Sequence, residues 1–300
     1  MLRYNHSRPR SRVAAGFGRG HRYPVALQEP SELMQQLATL PLFPSTVIGL
    51  LAISSESPTA VEEYERAFRA DPALASDLLR AANSVEFGLL ERVESIRQAL
   101  TLLGLDRVGT LAATVALQRY TVPLPNQQFL RPFLAHSIAS AVIAEALATV
   151  RGCHSAGVYT AGLVHDVGRL GLLIGAAGYA KLCSQPLAID AGIELEVEQC
   201  GVSHPHAGEI IAASWRFPEW ICQAIRHHHD ANESSDVRVR LVQRACRYAS
   251  MLGFAELGER PVPPAEFPVD LRGHPLLDPG RLRQRVNHLL LAVTQSKRQS

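Results

Sequence analysis

The chain has 300 residues, of which 47% are hydrophobic and 19% charged, with a formal net charge of +2; that is ample material for a buried core and too apolar for an extended disordered chain. Of its 30 basic and 28 acidic residues, six arginines and one acid, Glu29, fall in residues 1–30. The remainder carries 24 basic against 27 acidic, which excludes a basic nucleic-acid-binding body. Aromatics are only 6%, so Leu, Ala, Val and Ile must fill the core, a mixture that favours helices over a β sandwich.

In chain order, residues 1–30 are basic, punctuated by Gly and Pro, and without an apolar face. This predicts a disordered basic tail with at most weak contact to nucleic acid or anionic lipid. Leu40-Pro41-Leu42-Phe43-Pro44 opens an apolar helix. Asp71-Pro72 reads as an N-cap followed by Pro at the first helical position, with Leu74, Leu78 and Leu79 recurring on one face. Ser95-Ile96-Arg97-Gln98 reads as a capping box, and Gly104 ends that helix. Val108, Leu111, Ala112 and Val115 mark the next helix, and Pro123 and Pro125 break the chain near residues 121–128. Helices follow at 133–150, 155–174, 204–215, 219–229 and 238–252. Six prolines between 258 and 280 predict a loop-like arm. Asp278-Pro279 then caps a last helix with a Leu282, Val286, Leu289, Leu290, Val293 stripe, which needs either its own core or a second copy in a homodimer. No alternating strand pattern competes.

Five cysteines, Cys153, Cys183, Cys200, Cys222 and Cys246, are odd in number and form no Cys-x-x-Cys. They fit reduced thiols in a cytoplasm. No apolar signal core follows the basic start, and the longest apolar run, residues 170–180, is too short to span a bilayer. The expected location is therefore cytoplasmic, without a membrane partner.

His165-Asp166, set in an otherwise apolar helix, is the strongest chemical signal. Ionised aspartate is almost never buried without a partner, whereas adjacent His and Asp can both turn toward one divalent ion. His136 lies upstream, and His204 and His227-His228-His229 lie downstream. Adjacent helical side chains diverge by about 100°, so at most two of those three consecutive histidines can face one metal. The structural alternatives are that Asp166 accepts from backbone or from His136, that His204 sits in an N-cap region, and that the histidine run closes a helix on its last carbonyls.

The order His136, His165-Asp166, His204, His228-His229 resembles the HD superfamily of metal-dependent phosphohydrolases and its HD-GYP phosphodiesterase branch. The earlier motifs sharpen this: Leu40 to Pro44, Asp71 to Arg80, Ala81-Ala82-Asn83-Ser84, Phe87-Gly88, Val93 to Leu100 and Leu102 to Leu105. With Gly201 to Gly208, Trp215-Arg216-Phe217-Pro218 and Ile225 to His229, they resemble the HDOD domain, over roughly residues 31–253. Three departures stand out. Arg169 replaces the family lysine, Cys246 takes the place of the last Asp, and Ala231-Asn232-Glu233 stands where HD-GYP proteins carry Gly-Tyr-Pro.

The resemblance implies an all-α, two-lobed HDOD domain over residues 31–255, with an N-terminal lobe at 31–122 and an HD-like lobe at 129–255; residues 256–300 form the arm and terminal helix. It implies a bacterial signalling module that binds a signalling protein or a small nucleotide ligand without catalysis. The alternative is a phosphohydrolase acting on a nucleotide or cyclic (di)nucleotide. In that case Mn, Fe, Zn, Mg or Ni is held by His136, His165, Asp166, His204, His228 and His229, with Asp166 and Arg169 catalytic. With Cys246 removing a carboxylate, metal is expected to be substoichiometric at most. A helix-turn-helix reading of residues 40–51 and 102–115 ranks last, because few side chains there could read base edges.

Overall fold

A computed structural model describes residues 32–294, apart from 55, 85–86, 125, 154 and 259–273. The basic tail and most of the Pro-rich arm therefore lie outside the described residues. The fold is all-α, and the described residues contain no strand longer than a single bridge at Leu187.

The first half comprises α1 (Glu32–Ala38), α2 (Ser45–Leu50), α3 (Ala60–Ala70), α4 (Pro72–Ala82), α5 (Ile96–Leu103) and α6 (Leu105–Thr121). The local signals act as expected. Asp71 accepts from the Leu74 amide with Pro72 at the first helical position, and Ser95 accepts from the Gln98 amide. Gly104, at φ 84°, separates α5 from α6, which meet at a bend of 120°. Asn83 closes α4 with its amide: Nδ2 donates to the carbonyls of Leu79 and Val93, and Oδ1 accepts from the Val93 amide. Helices α1 and α3 have no counterpart in the sequence expectations, nor do two later helices over Tyr179–Leu182 and Ile189–Cys200. Helix α1 packs on the helices over Val167–Gly175 and His204–Ser214, so it sits in space with the later helices.

The second half is built round α7 (Gln127–Val150), a helix longer than the expected 133–150 and buried along most of its length. By length and composition it could cross a bilayer, yet 83% of its apolar window is buried inside the fold. Around it lie α8 (Ser155–Val164), α9 (Val167–Gly175), α10 (Tyr179–Leu182), α11 (Ile189–Cys200), α12 (His204–Ser214), α13 (Glu219–His227) and α14 (Val237–Met251). The expected single helix over 155–174 is broken at His165-Asp166. There the backbone turns and the His165 ring bonds the Gly162 carbonyl. Breaking the helix lets α9 lie against α12 at a distance only glycine permits. A Cβ on Gly168 would overlap the His204 carbonyl, and one on Gly208 would lie 2.6 Å from Ile225.

The final helix, α15 (Pro279–Thr294), docks on α7, α6 and α4 of its own chain. Leu282, Val286, Ala292 and Val293 are buried, and Leu289 and Leu290 are half-buried against the core. The Arg285 guanidinium pairs with Glu145 on α7. Changing Val286 to Asp places a charge where no water reaches. We expect denaturant unfolding to show a loss of about 3 kcal/mol or more with an unchanged mass in light scattering. Halving of the mass would instead make this stripe a dimer interface.

Candidate metal centre

The six residues singled out in the sequence as metal ligands meet in one buried cluster. His136 projects from α7, His165 and Asp166 from the turn between α8 and α9, and His204 from the first turn of α12. His228 and His229 follow the end of α13. All but His229 are at most 1% exposed. The imidazoles form a continuous chain, with ring centroids 5.2 Å apart for His136–His165, 4.9 Å for His165–His228, 5.3 Å for His204–His228 and 4.0 Å for His228–His229. His228 and His229 stand just past the end of α13, and their ring centroids are 4.0 Å apart. His227 itself stays outside, its Nδ1 2.8 Å from Asp230. Buried Gln243 fixes this turn by donating to the carbonyls of His227 and Asn232 and accepting from the Ser234 amide.

Hydrogen bonding dictates the tautomers. Nδ1 of His136 lies 2.7 Å from the Phe254 carbonyl, that of His165 2.7 Å from Gly162 O, and that of His228 2.7 Å from Ile225 O. His204 Nδ1 is 2.7 Å from Glu196 Oε2. Carbonyl and carboxylate oxygens only accept, so each Nδ1 carries the proton and each Nε2 carries a bare lone pair. Those lone pairs face other acceptors. His136 Nε2 is 3.2 Å from His165 Nε2, and Asp166 Oδ1 is 3.4 Å from His204 Nε2 and 3.9 Å from His228 Nε2. The Ser140 hydroxyl, its Oγ 3.4 Å from His136 Nε2, is placed to donate to that lone pair. The Nε2 atoms of His204 and His228 are buried without a hydrogen-bond partner, and that of His229 lies 3.2 Å from Glu256 Oε2. Buried acceptors facing one another are costly unless a cation lies among them. Imidazole lone pairs whose opposite nitrogens are anchored to acceptors are what a divalent transition ion requires.

The charged shell makes the same demand. Arg169 is 5% exposed and contacts three carboxylates: Nε lies 2.9 Å from Asp166, Nη1 3.3 Å from Glu196 and Nη2 2.6 Å from Glu256. It also donates to the Leu257 carbonyl. Three carboxylates thus surround one guanidinium. Arg169, expected to be catalytic in the phosphohydrolase alternative, has its donors turned inward onto these groups. Cys246 on α14 faces the cluster, with Sγ 3.8 Å from His136 Nε2 and 2.8 Å from Glu256 Oε1. A carboxylate, that of Glu256, therefore lies beside position 246, where the side chain itself supplies none.

The HDOD domain profile matches residues 40–231. The chain belongs to the HDOD family. An HDOD domain protein of unknown function from Geobacter sulfurreducens is 26% identical, with a TM-score of 0.63 over 88% of this chain and 92% of that one. A protein named for signal transduction from Marinobacter aquaeolei is 23% identical, with a TM-score of 0.65 over 85% of this chain and 59% of that one. A structure named for a phosphohydrolase from Shewanella amazonensis is 20% identical, with a TM-score of 0.62 over 88% and 97%. An uncharacterised protein of Treponema pallidum is 24% identical over 212 residues, and this chain spans about two fifths of that relative's length, 39%.

Electrostatics in the HDOD pocket follow from burial. Burial and neighbouring imidazoles hold His165 and His228 well below the ordinary histidine range. Burial, with Arg169 adding, brings His204 down to about 4. These rings are neutral at physiological pH and ready to coordinate. Burial pushes Asp166 well above the usual carboxylate range, against the pull of Arg169. Burial would raise Glu196 as well, but His204 and Arg169 outweigh it and bring it down to about 2. Glu256 is held well below the ordinary value, because His229, Arg169 and His136 together overcome its burial.

Two site residues, Glu196 and Glu256, escaped the sequence reading. Glu196 accepts from the His204 amide at 2.8 Å and from Tyr179 Oη at 2.8 Å, besides orienting the His204 ring. It shares α11 with Glu194 and Glu198, so nothing local marks it as the buried one. Glu256 lies beyond every helix expected before position 278. The available signal was the pair Gly253 and Gly258, both at positive φ, 91° and 75°, bracketing the segment that bears it.

The close approach of α9 to α12 carries His165-Asp166 to His204, and Gly168 sets it. Changing Gly168 to Ala directs a Cβ at the His204 carbonyl and 2.5 Å from the Gly208 amide, both rigid backbone. We expect unfolding measurements to show a loss of about 3 kcal/mol or more. Gly192→Ala on α11, where a Cβ would meet nothing within 4 Å, should gain about 0.5–1 kcal/mol. Equal effects at both positions would refute the role given to Gly168.

Proposed function

We propose that this HDOD protein is a regulatory signalling module whose HD-like lobe encloses a divalent metal as a buried cross-link, without turning over a substrate. The observation that carries this reading is the inward convergence of Nε2 lone pairs from anchored imidazoles, in a cluster sealed from solvent. His136, His165, Asp166, His204, His228 and His229 would hold the ion. In an open HD-type site such an ion would supply Lewis acidity and an activated water. Here the residues around it exclude a substrate. The neighbouring cavity lined by Arg169, Tyr179, Glu196 and Leu257 is about 20 Å³, room for one water and far too small for a nucleotide.

Recognition would then take place elsewhere on the molecule. A groove of about 1500 Å³ runs along α3, α4, α5 and the end of α15, lined among others by Arg69, Arg80, Asn83, Arg92 and Ala292. None of the cluster's residues borders it. Its mixed charge, with fully exposed Leu90 at the edge, suits a protein surface or a small anionic ligand better than a buried apolar molecule. The second reading, a phosphohydrolase, keeps the same ligands and requires the segment over the cluster to swing away.

The full chain, purified without chelator, should contain at least about one divalent transition ion per molecule by elemental analysis. It should show no hydrolysis of cyclic dinucleotides, cyclic mononucleotides or nucleoside triphosphates with Mn²⁺ or Fe²⁺ supplied. Turnover abolished by Asp166→Ala would favour the hydrolase. A metal-free chain that also fails to take up Zn²⁺, Fe²⁺ or Mn²⁺ would refute the metal centre.

A further inference from the structure

Residues 254–258 form a strap across the cluster. Gly253, at φ 91°, turns the chain back after α14, and Gly258, at φ 75°, ends the strap against the Cys183 backbone, 3.3 Å from its Cα. Each stage is fastened to the lobe. The Phe254 carbonyl accepts from His136 Nδ1, the Leu257 carbonyl from Arg169, and the Gly258 carbonyl from the Leu187 amide. Between these fastenings the strap inserts Glu256, a 5% exposed carboxylate, into the cluster. Oε1 lies 2.8 Å from Cys246 Sγ and 3.8 Å from His136 Nε2, and Oε2 lies 3.2 Å from His229 Nε2.

Glu256 thus spans both groups of imidazoles. His136, His165 and Cys246 have ligand atoms within 4.8 Å of one another, as do His204, His228 and His229. Glu256 joins Cys246 and His229 in one such set, and Asp166 and His204 in another. A carboxylate so placed is the hard anionic donor that an aspartate on α14 would supply from position 246. We propose that Glu256 is a metal ligand delivered by the strap, and that Cys246 is its thiolate companion. Together they make a mixed N/O/S donor set selective for a borderline ion such as Zn²⁺ or Fe²⁺ over Mg²⁺ or Ca²⁺. Binding replaces the Sγ–H bond by a metal–sulfur bond and releases that proton to solvent. This rests on the metal-centre reading above and adds that the strap is part of the site, so that losing the ion unfastens the strap.

The test uses the full-length chain and four proteins: wild type, Glu256→Gln, Cys246→Asp and the double variant. Helical circular dichroism establishes that each is folded, and Zn²⁺ affinity is measured by competition with a chromophoric chelator. Glu256→Gln should weaken Zn²⁺ binding at least about 10-fold. The double variant should recover most of that loss, because the carboxylate is returned from α14. Co²⁺-loaded wild type should show a thiolate-to-cobalt charge-transfer band that is absent in Cys246→Asp. Limited proteolysis should cut within residues 254–258 faster in Glu256→Gln than in wild type, both with Zn²⁺ present. Unchanged affinity in a folded Glu256→Gln overturns the proposal while leaving the histidine centre intact. If Glu256→Gln does not fold, a cobalt band that persists in Cys246→Asp overturns it. A wild-type chain that takes up no Zn²⁺ overturns this proposal and the centre together.

Discussion

Imidazole lone pairs forced together are the constraint round which this structure is arranged. Four rings spend their Nδ1 protons on fixed acceptors, the Phe254, Gly162 and Ile225 carbonyls and the Glu196 carboxylate. Their remaining nitrogens then meet one another and Asp166 in a dry interior. Three carboxylates facing Arg169 add to the negative potential. Burying such groups costs several kcal/mol each unless opposite charge compensates them. Part of that compensation comes from Arg169, whose guanidinium pairs with all three carboxylates. A divalent ion would add to it and cross-link the elements that carry the cluster.

The helices are placed to meet this constraint. Gly168 lets α9 press against α12, and the helix break at His165-Asp166 aims both side chains at the same point as His204. His228 and His229 stand at the end of α13, and Gln243 holds the turn that follows. Glu196 joins two jobs by accepting both from the first amide of α12 and from its histidine ring. Arg169, a cation in an HD-type position, is drawn into this framework. Its planar fork reaches several carboxylates at once, which a point-charge ammonium would do less well.

The α-helical class, most of the helices and the histidine cluster's members were legible because their signals are local. Caps at Asp71 and Ser95, the dipeptide His165-Asp166 and the histidine run are recognised within a few residues. The helix break at 165–166 was not legible, since apolar periodicity continues across it. The short α10 and the acid-rich α11 carry no strong apolar stripe, and their importance rests on tertiary contacts of Tyr179 and Glu196. Glu256 was the costliest omission. Position 246 alone suggested a site short of one charge, but ten residues later a strap that no helical pattern describes brings a carboxylate beside it. A group brought close only by the tertiary fold is invisible to any reading that compares positions one at a time.

X-ray absorption at the K-edge of the bound ion in the full-length chain tests the central claim most directly. A closed centre built from these residues predicts a first shell dominated by imidazole, with the multiple-scattering signature of several rings and at most one water. A shell of water and carboxylate oxygen with little imidazole scattering would contradict it. It would place the ion at an exposed carboxylate site outside the cluster.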